Sequence, residues 1–493
     1  MGIFKNRKNF WLLIFIVVTA VYLFNLGGSL MHDDEGTDFY EAWQLQQGKQ
    51  PGVDYVAEQQ PLYIISGSFL INLWGRTAFP LRALSLIQVL AGTFILASVI
   101  RIIWGERTAV IATGLILTTG LVFEQSRLFR PDPMMLAWEM VGLAAVLLAI
   151  NKQRRVYWAI AGASYGVAFL WKPFALFPIA GLGFYFLYWL WQSRSQENKL
   201  EPIVSGFYFA TPFLFVAGGV SFLLYSRLGF YYGEIFSQHA HLGEELGLIN
   251  LIGRTLLFYF LLFWVNGVFL LLFPFWFVNR KTQNQHPKET RLFVLQLISP
   301  IIFIAITRPL YIRYYFYLIP ILAISLAWQL DLSLRNLVQQ KEMFARFVPV
   351  IILLVFLGAV IVTKPNIPEL FSQKESDTIR LANYIADNTE VGDIVLADYA
   401  GLNFFADRKS IPEASIIAGA QITGGVITTD LLIHRIEEFD VQMVLVHVEG
   451  GYPPAHQLIK LVDYDDFRAY LNDHFTLSTT FDRAGQQIEI YQR

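Results

Sequence analysis

Residues 31–40, MHDDEGTDFY, place four carboxylates, Asp33, Asp34, Glu35 and Asp38, within six positions. Carboxylates this dense can move protons as general bases or acids, or ligate a cation. The bland explanations are a helix cap or a solvated acidic turn. A calcium loop is excluded, because DDEGTD lacks the alternating oxygen ligands and the terminal Glu. Further charges sit beside aromatic residues or proline. Arg130 and Asp132 lie in EQSRLFRPD (124–132), Lys172 in WKP (171–173), and Arg308 and Arg313 in TRPLYIRYY (307–315). Arg and Lys both suit phosphate by charge, and Arg adds a bidentate fork. QHAHLGEELG (238–247) carries His239, His241, Glu244 and Glu245. His-x-His with a nearby Glu suits a divalent metal, and an amphipathic interfacial helix is the commoner explanation.

The elements that must position these groups are membrane helices. The 493 residues are 55% hydrophobic and only 15% charged, too apolar for an ordinary soluble protein. The net charge of −2 gives no basic signal for nucleic acid. Cysteine is absent, so disulfides and thiol chemistry are excluded. No Asn-x-Ser/Thr sequon occurs, which fits a bacterial source. Basic residues followed by a long apolar run at the N-terminus read as a signal-anchor; a signal peptide would be shorter and end in a small-residue cleavage site.

Apolar runs of about 20 residues predict about eleven transmembrane helices, near 10–29, 79–100, 107–123, 134–150, 157–170, 174–192, 203–226, 255–278, 292–307, 312–330 and 346–363. With the N-terminus in the cytoplasm, Lys5, Arg7, Lys8, Arg101, Lys152, Arg154, Arg155, Arg280, Lys281 and Lys288 all fall in cytoplasmic connections. That is the positive-inside pattern. PLYIISGSFLINLWG (61–75) is too short to span and reads as an interfacial or re-entrant helix. The acidic loop and the Arg130, Lys172, His239 and Arg313 motifs then share the extracytoplasmic face.

After Lys364 the chain turns polar. SDTIRLANYIADNTE, TTDLLIHRIEEF and DYDDFRAYLNDHF read as helices; DIVLAD, VQMVLVHV, TLSTTF and QIEIYQ read as strands. The expected organisation is a transmembrane domain over 1–364, with its first extracytoplasmic loop at 30–78, and a small extracytoplasmic α/β domain over 365–493.

HDDEGTDFYEAWQLQQGKQPGVDYVAEQQPLY resembles the first extracytoplasmic loop of GT-C membrane glycosyltransferases, closest to the protein mannosyltransferase and lipid A aminoarabinose transferase superfamily. The features that carry the resemblance are Asp34–Glu35, Tyr40, the GKQP turn (48–51) and Glu58 ahead of Pro61-Leu62-Tyr63. RPD (130–132), WKP (171–173) and RYYFYLIP (313–320) continue it over most of residues 1–365. EQQPLY departs from the EKPPL form of the aminoarabinose enzymes, so the resemblance does not extend to their sugar donor.

The resemblance implies inverting transfer of a sugar from a polyprenyl phosphate to a hydroxyl acceptor on a lipid, polysaccharide or protein, in the bacterial cytoplasmic membrane. One carboxylate then acts as base, with Asp34 preferred and Asp33 and Glu35 as neighbours able to exchange roles with it. Lys172, Arg313, Arg130 and Arg308 face the donor phosphate, supported by Asp132, Glu58 and Tyr40. Glu58 with His239 or His241 is the hypothetical equivalent of the family's divalent-metal pair. Paired carboxylates alone would equally suit glycoside hydrolysis, but the lipid-embedded scaffold favours a lipid-linked donor. The rival class is a transporter or flippase of lipid-linked substrates. Its usual marks are inverted repeats and polar groups near the midplane; here no repeat is visible and the polar motifs gather at one face.

Overall fold

The computed structural model describes residues 16–28, 33–57, 59–195, 199–228, 248–265, 286–306, 316–340, 354, 377–417, 419–449, 457–483 and 486–493. The chain forms two units. One holds residues 1–23, 84–223 and 239–367; the other holds 24–83, 224–238 and 368–493.

Along the chain, residues 16–23 are helical. Helix α1 (Asp33–Gln46) begins on the acidic run, and α2 (Pro61–Trp74) begins on a proline, whose missing N–H and fixed φ suit a first turn. The long apolar helix α3 (Ala78–Trp104) follows, then α4 (Glu106–Thr118), α5 (Gly120–Ser126), α6 (Pro131–Lys152), α7 (Arg155–Trp171), α8 (Leu176–Gln192), α9 (Glu201–Leu214) and α10 (Val220–Leu228). A π-helical turn, Phe215–Gly219, joins α9 to α10. Helices α11 (Leu248–Val265), α12 (Pro287–Ile298), α13 (Pro300–Ile306) and α14 (Leu318–Gln340) follow; of all these helices, α1, α2, the start of α3 and the end of α10 belong to the second unit.

Among the described residues, five helical stretches are long and apolar enough to cross a membrane: α3, α6, 173–192, 201–227 and 318–336. Helices α4 and α5 make a sixth if taken together, but they are bent by 63°. The straight span expected at 107–123 is therefore broken. Thr118 and Thr119 turn their hydroxyls back to the carbonyls of Gly114 (2.6 Å) and Leu115 (2.7 Å). Such back-bonding loosens the helical ladder, and Gly120 follows at once. The span expected at 292–307 is divided between α12 and α13, where Pro300 supplies no backbone N–H. The one expected at 346–363 lies almost wholly outside the described residues.

Within the first unit, glycine sets how closely helices approach. A Cβ on Gly162 of α7 would overlap the carbonyl of Phe209 in α9, and one on Gly166 would lie 2.9 Å from Val216 Cβ. Gly162 and Gly166 form a small-xxx-small pair, the usual device for bringing membrane helices together where the hydrophobic effect gives no preference. A Cβ on Gly142 of α6 would meet the Tyr165 ring at 2.7 Å. Buried carboxylates are paired: Asp331 accepts across helices from Thr108 (2.9 Å) and within its own helix from Arg335 (2.6 Å), and Glu289 accepts across helices from Asn151 (2.9 Å).

In the second unit, α15 (Asp377–Asp387) buries Leu381, Ala382 and Ile385 on one face. Strand β1 (Val395–Ala397) and helix α16 (Ala400–Ala406) come next. Helix α17 (Thr429–Glu438) is capped by Thr428, whose hydroxyl accepts from the Leu431 N–H (3.3 Å). Then come β2 (Met443–Glu449), α18 (Tyr464–His474), β3 (Thr476–Arg483) and β4 (Gln486–Gln492). The sheet order is β1-β2-β4-β3, with β1 parallel to β2 and the other pairs antiparallel. Strand β2 is central, which is why MVLV is apolar without alternation. Leu396, Val444, Val446, Leu432, Ile436, Phe467 and Leu471 share the core of this sheet and its helices.

Gly162→Leu should lower the stability of the first unit by about 1–3 kcal/mol, the usual penalty of overpacking. The melting temperature of the purified protein in lipid nanodiscs checks this; an unchanged value would remove the close α7–α9 approach from the account.

Candidate active site

The acidic run divides once it is helical. Successive residues point about 100° apart around a helix, so neighbours in the sequence part company. Asp34 is exposed on the first turn of α1, whereas Glu35 is fully buried. Glu35 meets Arg82 in α3 through two parallel bonds, Nε to Oε1 at 2.8 Å and Nη2 to Oε2 at 2.7 Å. Arg82 is also fully buried, and its Nη1 donates to the Leu26 carbonyl at 2.8 Å. A buried ion pair holds only when its geometry is good and its remaining hydrogens are satisfied. Here the fork fits the carboxylate, and the carbonyl takes a further hydrogen. Glu35, expected among the catalytic carboxylates, is thus engaged in holding α1. Asp33 opens the same helix.

The rest of α1 is held by packing and by a polar contact at Tyr40. The Ser410 N–H donates to Tyr40 Oη at 2.9 Å. Burial pushes the Tyr40 phenol pKa up, partly offset by that bond, so the phenol stays neutral as an acceptor. Phe39 packs against Phe404 and Phe405 of α16, with ring centroids at 5.3 and 6.2 Å, and Trp43 lies 6.3 Å from Phe404. Arg76 stacks over Trp43 (5.3 Å) and reaches Asp407 (2.8 Å) and the Phe404 carbonyl (2.9 Å). Asp38 and Glu41 are also buried in α1. Tyr40, expected beside the site, is an anchor of the helix.

The turn after α1 follows its glycines. Gly48 and Gly52 adopt φ of +77° and +76°, a region open to glycine. Asp54 accepts from the Gln50 N–H at 2.8 Å and from Lys49 at 3.4 Å. The Gln50 bond, with Lys49 adding to it, holds the Asp54 carboxyl below its ordinary pKa. The Val56 N–H then donates to Ser415 Oγ at 2.9 Å, tying the loop to residues far along the chain.

In the first unit, two X-Pro steps present the charged residues. Arg130 and Lys172 are extended (φ −145°, ψ 151° and φ −158°, ψ 133°), as residues before proline prefer. Lys172 Nζ donates to both oxygens of Asp132, at 2.7 and 2.8 Å, and lies 5.0 Å from the Phe174 ring. Asp132 is buried in the first turn of α6, where a carboxylate also complements the helix dipole. Asp132 thus serves a lysine forty residues on. Arg130 is itself buried. Glu58, His239, His241, Arg308 and Arg313 lie outside the described residues. Among the described residues no group of three His, Cys, Asp or Glu side chains could hold a metal ion.

The family model for dolichyl-phosphate-mannose-protein mannosyltransferases matches residues 60–217. No curated protein matches the chain significantly in sequence. In fold the chain is similar to ArnT of Cupriavidus metallidurans bound to undecaprenyl phosphate, with 14% identity, 97% of this chain and 98% of that chain covered, and a TM-score of 0.62. It is also similar to the apo oligosaccharyltransferase of Archaeoglobus fulgidus, with 14% identity, 90% of this chain and 70% of that chain covered, and a TM-score of 0.57. The same archaeal enzyme in complex with an inhibitory peptide and a dolichol phosphate gives 15% identity, 89% and 70% coverage, and a TM-score of 0.53. The structural likeness shows that the chain shares the fold of these proteins, and the family match covers residues 60–217, under half of the chain.

Arg82→Ala should destabilise the second unit by about 3–5 kcal/mol, because it leaves the Glu35 carboxylate buried without its cation. The unfolding midpoint reports it, and a midpoint equal to wild type would mean that the pair does not hold α1.

Proposed function

We propose that the chain transfers a sugar, with inversion, from a polyprenyl-phosphate donor to a hydroxyl acceptor at the outer face of the cytoplasmic membrane. The observation that carries this reading is the exposure of Asp34 on a helix whose next carboxylate is locked to Arg82. The helix is fixed while one carboxylate stays accessible, which is what a general base requires. Asp34 takes the proton of the acceptor hydroxyl as its oxygen bonds to the anomeric carbon. The bond from that carbon to the phosphate oxygen breaks, and its electron pair leaves with the polyprenyl phosphate. A single displacement inverts the anomeric configuration.

The leaving phosphate is dianionic and needs cations rather than an acid. Lys172 and Arg130 are proposed for that role, with Arg308 and Arg313 from the sequence pattern. Asp132 and the Phe174 ring orient the Lys172 ammonium meanwhile. Asp33 is the second candidate base, and Glu35 acts by positioning. The sequence-based metal set, Glu58 with His239 or His241, enters no step. The likeness to proteins solved with undecaprenyl phosphate and dolichol phosphate supports a lipid-phosphate carrier. The acceptor class is a lipid, polysaccharide or protein hydroxyl. Lysine and arginine placement supports a cytoplasmic N-terminus and an extracytoplasmic domain over 365–493.

Asp34→Asn should lower labelled-sugar transfer by about 10²–10⁴-fold, the contribution of a positioned base, with the melting temperature unchanged. The assay uses the reconstituted protein, a panel of polyprenyl-phosphate sugars and a membrane extract as acceptor source. Equal transfer by both proteins would move the base to another carboxylate; transport of lipid-linked sugar without a glycosidic product would overturn the transferase reading.

A further inference from the structure

The two halves of α1 are held differently. Its later turns carry Phe39, Tyr40 and Trp43, which pack or hydrogen-bond in the ordinary way. Its first turn offers Gly36 instead. A Cβ at Gly36 would overlap the phenol of Tyr399, and a Cβ at Gly401 would overlap the same ring. The Gly401 Cβ position also lies 2.8 Å from Gly36 Cα, so the backbones of α1 and α16 approach as closely as two glycines allow. Each glycine inside a helix costs roughly 1 kcal/mol relative to alanine. The close seat for Tyr399 accounts for both. Tyr399 is buried, and its phenol is an electrostatic neighbour of Arg82, the guanidinium that grips Glu35. One side chain therefore touches the backbone two residues after Asp34 and adjoins the cation holding the residue next to it.

We infer that Tyr399 is a positioning residue for Asp34: its ring, seated between Gly36 and Gly401, fixes the orientation of the first turn of α1. This rests on the reading of Asp34 as the base. The residue acts through the helix and touches no substrate. Filling Gly36 with a methyl group pushes the turn away from Tyr399 and re-aims Asp34. Removing the ring as well restores room for the methyl group.

The test uses full-length protein in nanodiscs and the variants Gly36→Ala, Tyr399→Ala and the two combined. Four quantities are read: kcat, KM for the polyprenyl-phosphate sugar, amide exchange over residues 33–38, and melting temperature. Gly36→Ala should lower kcat by about 100-fold, the scale of an ångström-sized misplacement, with KM unchanged and exchange over 33–38 accelerated. Tyr399→Ala should also lower kcat and accelerate that exchange, because the first turn loses its seat. The double variant should fall no further than Tyr399→Ala alone, because the methyl group acts only through the ring. That non-additivity separates positioning from two independent losses of packing, which would multiply. Wild-type kcat and exchange in either single variant, or a double variant in which the two losses multiply, would overturn the inference. If wild-type protein transfers no sugar, the transferase reading fails, and the exchange data alone decide whether Tyr399 fixes this turn.

Discussion

The second unit depends on taking one carboxylate and one guanidinium out of water together. Each of Glu35 and Arg82 would be costly to bury alone, and only directed bonds to both make the arrangement stable. The bidentate fork and the Leu26 carbonyl supply them. The constraint is also directional. A fork fixes distance and angle, so the start of α1 is held in a defined rotation relative to the start of α3. Helical geometry then does the sorting: with Glu35 turned inward, Asp34 is left exposed.

The loop that carries these residues has little apolar surface of its own at the turn, and it is completed from far along the sequence. Phe39 and Trp43 meet Phe404, Tyr40 meets Ser410, Arg76 meets Asp407, and Val56 meets Ser415. The polar C-terminal segment is thus part of the structural support of the acidic loop. An active site on this loop needs such support, because reacting groups must be held rigid. In the first unit the same requirement is met more locally: X-Pro steps present Arg130 and Lys172, and Asp132 sets the direction of the ammonium.

Much of the secondary structure was legible because it follows from composition and period. The apolar stretch ALSLIQVLAGTFILASVI reads as a long membrane helix, and MVLV between polar flanks as a covered strand. The break at Thr118–Thr119 was not legible as a bend, since both residues fit an apolar helix until their hydroxyls turn inward. The acidic run was recognisable as special, but not which carboxylate was buried. That choice depends on Arg82, which sits inside an expected span and carried no local signal. Burial of Asp38 and Glu41 was likewise not legible. Phe39 and Trp43, four residues apart, share a face only because α1 is helical where a loop was expected, and nothing in the sequence named α16 as their partner. The Lys172–Asp132 pair likewise joins motifs that were each visible and whose contact was not.

A double-mutant cycle of Glu35→Gln and Arg82→Gln tests the central interaction most directly, with unfolding free energy and sugar transfer measured on the same four proteins. The account predicts a coupling energy well above about 0.5 kcal/mol, the scatter expected of independent sites. It also predicts that transfer falls in both single variants while Asp34 is intact. Additive energies with transfer retained would show that the pair neither holds the acidic helix nor sets the direction of Asp34.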